Sequence, residues 1–266
     1  MVVAFYSPMH GQTGTSSNLL SIALLLALKY QKKLFLMESH FEKNALESML
    51  VKMPKPRELS VYEDFGIDLL TRSKVLINLA EEQLINASFS FLNNQIHLLP
   101  GTRQIDRDIF EQSIHQTILD VIEIADLHHD MVLIDVNASK NRLSNQILER
   151  ADLIVVNLSQ NPWLIKQFFK ESQNEKEKII YLLGNYDKNS HFNLRNLSYE
   201  FPMLSGKNTA TILYDGSWRD AMFDANTIAF MRKKINSEGK KKKGPFLDGI
   251  EKACHLILRG EGEKSV

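Results

Sequence analysis

Short, uniformly apolar runs alternate along this chain with longer segments in which apolar residues recur at helical spacing. The first run, Val2–Tyr6, favours a strand, and the nearly all-apolar segment Leu19–Tyr30 predicts a buried helix. Uniformly apolar strands separated by helices are typical of a parallel sheet that is covered on both faces. Further strands are predicted at Lys33–Met37, Ile96–Leu99, Met131–Ile134, Leu153–Leu158, Ile179–Leu183 and Ala210–Tyr214, and further helices at Phe110–Leu127, Leu143–Arg150 and Pro162–Lys170.

This order predicts one doubly wound α/β domain with a mostly parallel sheet of about seven strands flanked by helices. No linker rich in Gly, Ser or Pro divides the chain before Glu238, so we assign residues 1–236 to the domain. Residues 237–266 make up a basic linker and an amphipathic helix, whose apolar face lies within Phe246–Leu258.

Charge and cysteine content narrow the class of protein. Lys and Arg together number 32, as do Asp and Glu, so no net field draws the chain to nucleic acid or to an anionic membrane. Cys254 is the only cysteine, which excludes an intramolecular disulfide and fits a reducing cytoplasm. The longest apolar stretch, Leu19–Leu28, is too short to span a bilayer. We expect a cytoplasmic protein, with any membrane contact peripheral, at the inner membrane face.

The polar loop between the first strand and the buried helix carries the candidate chemistry. It contains Gly11 and Gly14, and the backbone N–H groups of such a loop and of the following helix point at a bound anion. The P-loop pattern requires two glycines, then lysine, then Ser or Thr. This chain supplies Gly14 and Ser16, but Met9 stands at the first glycine position and Thr15 at the lysine position.

Residues 11–18, Gly-Gln-Thr-Gly-Thr-Ser-Ser-Asn, resemble the deviant Walker A loop of the ParA and MinD ATPases, which runs Lys-Gly-Gly-x-Gly-Lys-Thr-Thr. Residues 130–135, Asp-Met-Val-Leu-Ile-Asp, resemble the Walker B strand of that P-loop NTPase family. Residues 151–156 and Gly184-Asn185 resemble its later strand and its adenine-side Asn. Within the family, the atypical loop points to the pilus-assembly localisation proteins TadZ and CpaE.

The resemblance implies that the cofactors are ATP and Mg²⁺. Ser16 keeps the hydroxyl that would coordinate Mg²⁺, and Asp135 would hold a water bound to that ion, so these two are the implied metal residues. The implied catalytic residues are Asp135 and His40, the latter in place of the Asp that orients the attacking water. The implied cofactor-binding residues are His10, Gly11, Gln12, Thr13, Gly14, Thr15, Ser16, Ser17 and Asn185.

The departures from the family pattern fall on the charged groups. Thr15 in place of lysine removes a charge-assisted phosphate contact of roughly 1.5–3 kcal/mol. His10 replaces the signature lysine, which reaches across a nucleotide-sandwiched dimer, and a histidine is shorter and mostly neutral at pH 7. We therefore predict a pseudo-ATPase or a very slow ATPase. An active ATPase that uses His10 for charge is the first alternative, and a glycine turn without a ligand is another.

The same loop allows a dinucleotide interpretation. Gly11 and Gly14 match the last two glycines of G-x-G-x-x-G, and Glu38 ends the second strand, where a ribose-binding acid would lie. Met9 interrupts the first glycine position, whereas Asp135 favours the P-loop interpretation. A Rossmann-type oxidoreductase is therefore a further alternative.

The tail allows three interpretations. The lysine run 240–243 precedes the amphipathic segment, and MinD-like proteins bind membranes through such a helix, each lysine contributing about 1 kcal/mol near an anionic leaflet. The helix could instead pack on the domain and leave the lysines in a solvated loop. The third interpretation is nonspecific DNA binding by Arg232–Lys234 and the lysine run. The neutral net charge of the chain disfavours this interpretation.

The predicted function is that of a ParA/MinD-like spatial regulator or scaffold that positions a larger assembly. The expected partners are a second copy of the chain and the proteins of a pilus, secretion or plasmid and chromosome partition system. Two smaller expectations concern single residues. His128-His129 is predicted to lie on a solvated turn, and Trp163 and Trp218 are predicted to pack in the core.

Overall fold

A single eight-stranded sheet organises the protein. The computed structural model describes residues 1–9, 11–41, 45–52, 65–74, 79–103, 113–139, 141–171, 179–238 and 244–262. The strands are β1 (Val2–Tyr6), β2 (Leu34–Glu38), β3 (Phe89–Phe91), β4 (Ile96–Leu98), β5 (Met131–Asp135), β6 (Leu153–Leu158), β7 (Ile179–Tyr186) and β8 (Thr209–Leu213). Their order across the sheet is β3-β4-β2-β5-β1-β6-β7-β8, and every neighbouring pair except β3 and β4 is parallel.

Helices cover both faces of this sheet. Along β1, Val3 and Phe5 pack into one core cluster while Val2 and Ala4 pack into another, because successive side chains of a strand point to opposite faces. The described helices are α1 (Thr15–Tyr30), α2 (Ala45–Leu50), α3 (Gly66–Lys74), α4 (Glu81–Asn86), α5 (His115–His128), α6 (Arg142–Arg150), α7 (Pro162–Glu171), α8 (Leu194–Glu200), α9 (Gly216–Phe223), α10 (Thr227–Glu238) and α11 (Pro245–Gly262).

The predicted fold class is confirmed, but the predicted strand count of about seven is one too low. The additional strand, β3, forms an antiparallel hairpin with β4 at one edge of the sheet. This strand is only three residues long and Ser90 at its centre is exposed, so the sequence contains no apolar run that would predict a strand here. Its turn contains Asn93 and Asn94 with φ of 55° and 65°, a left-handed conformation that Asn tolerates better than most residues.

The C-terminal helix α11 packs on the domain. Phe246, Ile250, Ala253 and Ile257 are buried in the same core cluster as α1, and α11 contacts both α1 and β8. The approach to β8 is close, because a β-carbon on Gly249 would lie 2.1 Å from the carbonyl oxygen of Thr211. The apolar face that a membrane would need is therefore buried against the sheet. The lysine run 240–243 lies outside the described residues.

No helix in the described part of the chain is both long and apolar enough to cross a membrane.

A buried histidine pair lies between α5 and the β4 edge of the sheet. His129 is buried rather than solvated, so the expectation of an exposed turn is wrong for this residue. Its Nδ1 donates to the carbonyl oxygen of Ala125 at 3.0 Å, which leaves its Nε2 to accept from His97 Nδ1 at 2.8 Å. Burial lowers the pKa of both imidazoles, that of His129 to about 4. Both rings are therefore neutral near pH 7.

This pair predicts acid sensitivity. Folding lowers the pKa of His129, so protonation of this imidazole favours the unfolded chain. The part of the free energy of unfolding that depends on neutral His129 is therefore complete above the ordinary pKa near 6.5 and is lost as the pH falls toward about 4. We expect the free energy of unfolding in urea to fall by about 2 kcal/mol between pH 7 and pH 4.5 on this account. His129→Gln should reduce that pH dependence, whereas His191→Gln at an exposed position should preserve it. Equal pH dependence in all three proteins would contradict the assignment.

Candidate functional site

The carboxyl ends of β1, β2 and β5 meet at a cleft of about 210 Å³. Parallel strands place their carboxyl ends at one edge, where open α/β sheets bind ligands. The loop after β1 forms one wall, α2 contributes Ala45 and Met49, and the segment after β5 contributes Val136 and Ala138. The sequence-predicted residues that line the cleft are Gly11, Thr13, Gly14, Thr15, Ser16, Ser17, His40 and Asp135.

The loop backbone is shaped to hold an anion. Gly11 and Gly14 have φ of 72° and 69°, in the left-handed region that glycine adopts without strain. Gly14 is also the N-cap of α1, and no side chain caps this end of the helix. The N–H groups of the first helical turn, which begins at Thr15, therefore lie at the cleft without an intrahelical acceptor. Such a helix end carries a partial positive charge that favours a phosphate.

Strands β6 and β7 fix the position of this loop from behind. Asn18 Nδ2 donates to the carbonyl oxygen of Thr13 at 3.2 Å and to Asn157 Oδ1 on β6 at 2.9 Å. On β7, a β-carbon at Gly184 would lie 2.1 Å from the Thr13 oxygen. Glycine at this position is therefore what lets the loop approach the sheet. Sequence reasoning missed Asn157, although a polar residue inside the apolar run Leu153–Leu158 is a usable signal.

The hydroxyl groups of the loop bond to one another. Thr13 Oγ1 donates to Ser7 Oγ at 2.9 Å, and Ser7 Oγ donates to the Met9 carbonyl oxygen at 2.8 Å. Thr15 Oγ1 lies 3.0 Å from Thr13 Oγ1. Lysine and arginine do not occur among the described residues that line the cleft. The loop thus keeps its backbone geometry without a cationic side chain in the described part.

The opposite wall of the cleft is acidic. Asp135 is 1% exposed and accepts a short hydrogen bond from Ser16 Oγ, and its Oδ1 lies 3.4 Å from His40 Nε2. Glu38 is the in-register neighbour of Asp135 on the adjacent strand. One potential ligand atom from each of Glu38, His40 and Asp135 lies within 4.8 Å of the other two. Two carboxylates and an imidazole therefore converge beside the phosphate loop.

Glu38 has a structural partner as well. Its two carboxylate oxygens accept from the backbone N–H groups of Ala45 and Leu46 at 2.9 and 3.0 Å, which stabilises the N-terminus of α2. Burial, followed by the negative charge of Asp135, raises the pKa of Glu38 well above its ordinary value, although these backbone bonds act in the opposite direction. The carboxylate is buried rather than presented to a ribose, so this geometry does not support the dinucleotide interpretation.

A second hollow of about 460 Å³ adjoins the cleft and shares Gly11, Gly14 and Ser17 with it. Its far side is formed by α9 and by Asn185, whose side chain is exposed and whose φ is 48°. Trp218 on α9 is buried, as expected, and its indole N–H donates to Ser17 Oγ at 2.9 Å, a contact with the loop that the sequence did not predict. The two hollows therefore share part of their lining along the loop.

The remaining predicted residues are His10, Gln12 and Trp163. His10 is outside the described residues. Gln12 is exposed and does not line the cleft. Trp163 is 62% exposed, so the expectation that it packs in the core is wrong.

Comparison with known proteins connects this fold to the ParA and MinD ATPases. No protein-family model and no curated protein matches the sequence. Among solved structures, a ParA family ATPase from Chlorobium tepidum TLS gives a TM-score of 0.70 at 15% identity over 95% of this chain and 98% of that chain. MinD from Pyrococcus horikoshii OT3, complexed with Mg-ADP, gives 0.65 at 13% identity over 97% and 96%. A plasmid partition protein from Borrelia burgdorferi B31, bound to AMPPNP, gives 0.63 at 15% identity over 97% and 98%.

These likenesses cover nearly the whole chain at low identity and define its fold. The protein has the P-loop NTPase-like α/β fold of the ParA and MinD ATPases. Its cleft lies at the carboxyl ends of the strands, where the loop after β1 meets the end of β5.

The close contact at Gly184 predicts a local overpacking defect. In Gly184→Ala the new β-carbon would collide with the Thr13 carbonyl, so either the loop or β7 must move. We expect a loss of about 1–3 kcal/mol in the free energy of unfolding measured in urea. Gly206→Ala is the control, because a β-carbon there meets nothing within 4 Å. Equal stability of the two variants would contradict the proposed role of Gly184.

Proposed function

We propose that this chain is a ParA/MinD-type spatial regulator in which ATP turnover is weak or lost. It acts mainly as a scaffold that positions a larger assembly. The proposal depends on one contrast within the cleft, between its backbone, which suits phosphate, and its described side chains, which lack positive charge. The backbone cradle of Gly11, Gly14 and the uncapped start of α1 is kept, whereas the described lining contains no lysine or arginine.

The residues fit the binding of a Mg²⁺–nucleotide complex better than its hydrolysis. Positive-φ glycines and free helix N–H groups suit phosphate oxygens, and the Ser16–Asp135 pair suits Mg²⁺ with its waters. Thr15, however, offers a neutral hydroxyl that already lies against Thr13. Phosphoryl transfer depends mainly on positioned charge, so this site favours binding over catalysis. The Mg²⁺ and phosphates would be held by the loop, Ser16 and Asp135.

The hollow beside the cleft suits the rest of a nucleotide. It is lined by Asn185 and by the exposed ring of Tyr214, an amide and an aromatic face that together suit a nucleobase. The neighbouring structures bound to AMPPNP and Mg-ADP support ATP and Mg²⁺ as the cofactors. An active ATPase of the same family is the alternative, with His40 or His10 supplying the missing function.

The partners follow from the same resemblance. A solved structure of the MinC:MinD cell division protein complex from Aquifex aeolicus is similar to this chain, which supports protein binding as the way such a scaffold acts. We propose that this chain forms a homodimer and recruits proteins of a pilus, secretion or partition system, with TadZ and CpaE as the model for the pilus case. It would act in the cytoplasm, and contact with membrane or DNA would depend on the basic segment after α10 rather than on the buried face of α11.

Restoring the missing charge tests the proposal. We expect Thr15→Lys to bind Mg·ATP roughly 10- to 150-fold more tightly than Thr15→Met, because a charged contact is worth about 1.5–3 kcal/mol. Thr15→Met is the matched control, since it loses the same hydroxyl and adds similar length without charge. Isothermal titration calorimetry at two salt concentrations measures both affinities, and the gain should shrink at high salt.

Two results would contradict the proposal. Equal affinities of the lysine and methionine variants would mean that this position does not face the phosphates. The second result is a wild-type rate of ATP hydrolysis typical of an active ParA or MinD protein. If Thr15→Lys left that rate unchanged, the active-ATPase alternative would be favoured.

A further inference from the structure

Glu38, His40 and Asp135 together have the composition of a metal site that needs no nucleotide. Glu38 and Asp135 are 4% and 1% exposed and occupy in-register positions on adjacent strands. Two carboxylates buried side by side repel each other unless a cation or a proton lies between them. The described lining of the cleft supplies no lysine or arginine to do this. His40, the only other titratable side chain described there, brings Nε2 to 3.4 Å from Asp135 Oδ1.

We propose that Glu38, His40 and Asp135 bind a divalent transition-metal ion directly, in the absence of nucleotide. The three donor atoms lie within 4.8 Å of one another, close enough to share one ion after small side-chain adjustments. An imidazole nitrogen with carboxylate oxygens suits Mn²⁺, Co²⁺ or Zn²⁺, whereas Mg²⁺ prefers oxygen ligands and retains its waters. The histidine therefore shifts the preference away from Mg²⁺.

The existing hydrogen bonds of these residues are compatible with a metal. Glu38 accepts from backbone N–H groups at the start of α2, among them those of Ala45 and Leu46, and a carboxylate with its two oxygens has about four lone-pair sites in all. Asp135 uses Oδ2 toward Ser16 and presents Oδ1 toward His40. A metal bound here would link Glu38 at the end of β2 and His40 just after it to Asp135 at the end of β5. Metal binding would thus stabilise the cleft without requiring ATP.

The test uses untagged full-length protein, freed of metal by a chelator and of nucleotide by dialysis. Isothermal titration calorimetry with Mn²⁺ and with Zn²⁺, and the visible absorption of added Co²⁺, measure binding without nucleotide. We expect one ion per chain and a loss of at least about tenfold in affinity in His40→Gln, since removing even an outer-shell partner costs 10- to 100-fold. His191→Gln, at an exposed position remote in sequence from the cleft, should bind like wild type.

Two further variants keep the test decisive. Asp135→Asn should also weaken binding, and so should Glu38→Gln, because both residues are among the three ligands. Circular dichroism melts confirm that each variant is folded. Binding that is absent, or equal in wild type and His40→Gln, would overturn the proposal. Binding that appears only when ATP is added would also overturn it while leaving the proposed nucleotide site intact.

Discussion

The close contact between β7 and the loop after β1 is the constraint on which the rest of the site depends. The Thr13 carbonyl lies where a β-carbon on residue 184 would be, so only glycine at that point of β7 lets the loop settle on the sheet. Asn18 then bonds the loop to Asn157 on β6. With the loop fixed, Gly14 starts α1 in a left-handed conformation and directs the uncapped helix end at the cleft. The buried α1 anchors this arrangement, because its residues from Asn18 to Ala27 are all buried.

Backbone and side chains contribute opposite charges to this cleft. The helix end and the positive-φ glycines favour an anion, and these features need no particular side chain. The side chains opposite favour a cation, since Asp135 and Glu38 are buried there beside His40. A Mg²⁺–nucleotide complex supplies both charges at once. A metal ion and a separate anion bound in the same cleft would also supply both.

Most of the fold could be predicted from the sequence because the central strands are uniformly apolar runs with clear ends. β3 could not, since it is a three-residue edge strand stabilised mainly by its hairpin partner. Gly11 and Gly14 could be predicted as loop glycines because glycine stands at both positions, between the first strand and the buried helix. Residues whose role depends on distant contacts were not identifiable, as Gly184 against Thr13 and Trp218 against Ser17 illustrate. His129 was misjudged because its partner, His97, is 32 positions away in the chain.

The rate of ATP hydrolysis by the pure protein tests the central claim most directly, namely that the fold of the ParA and MinD ATPases is kept while turnover is weak or lost. It should be measured with Mg²⁺ at saturating ATP, beside Asp135→Ala prepared in the same way. We expect a rate that is indistinguishable from that of the variant, or only slightly above it. A rate typical of active ParA or MinD proteins that Asp135→Ala abolishes would contradict the claim.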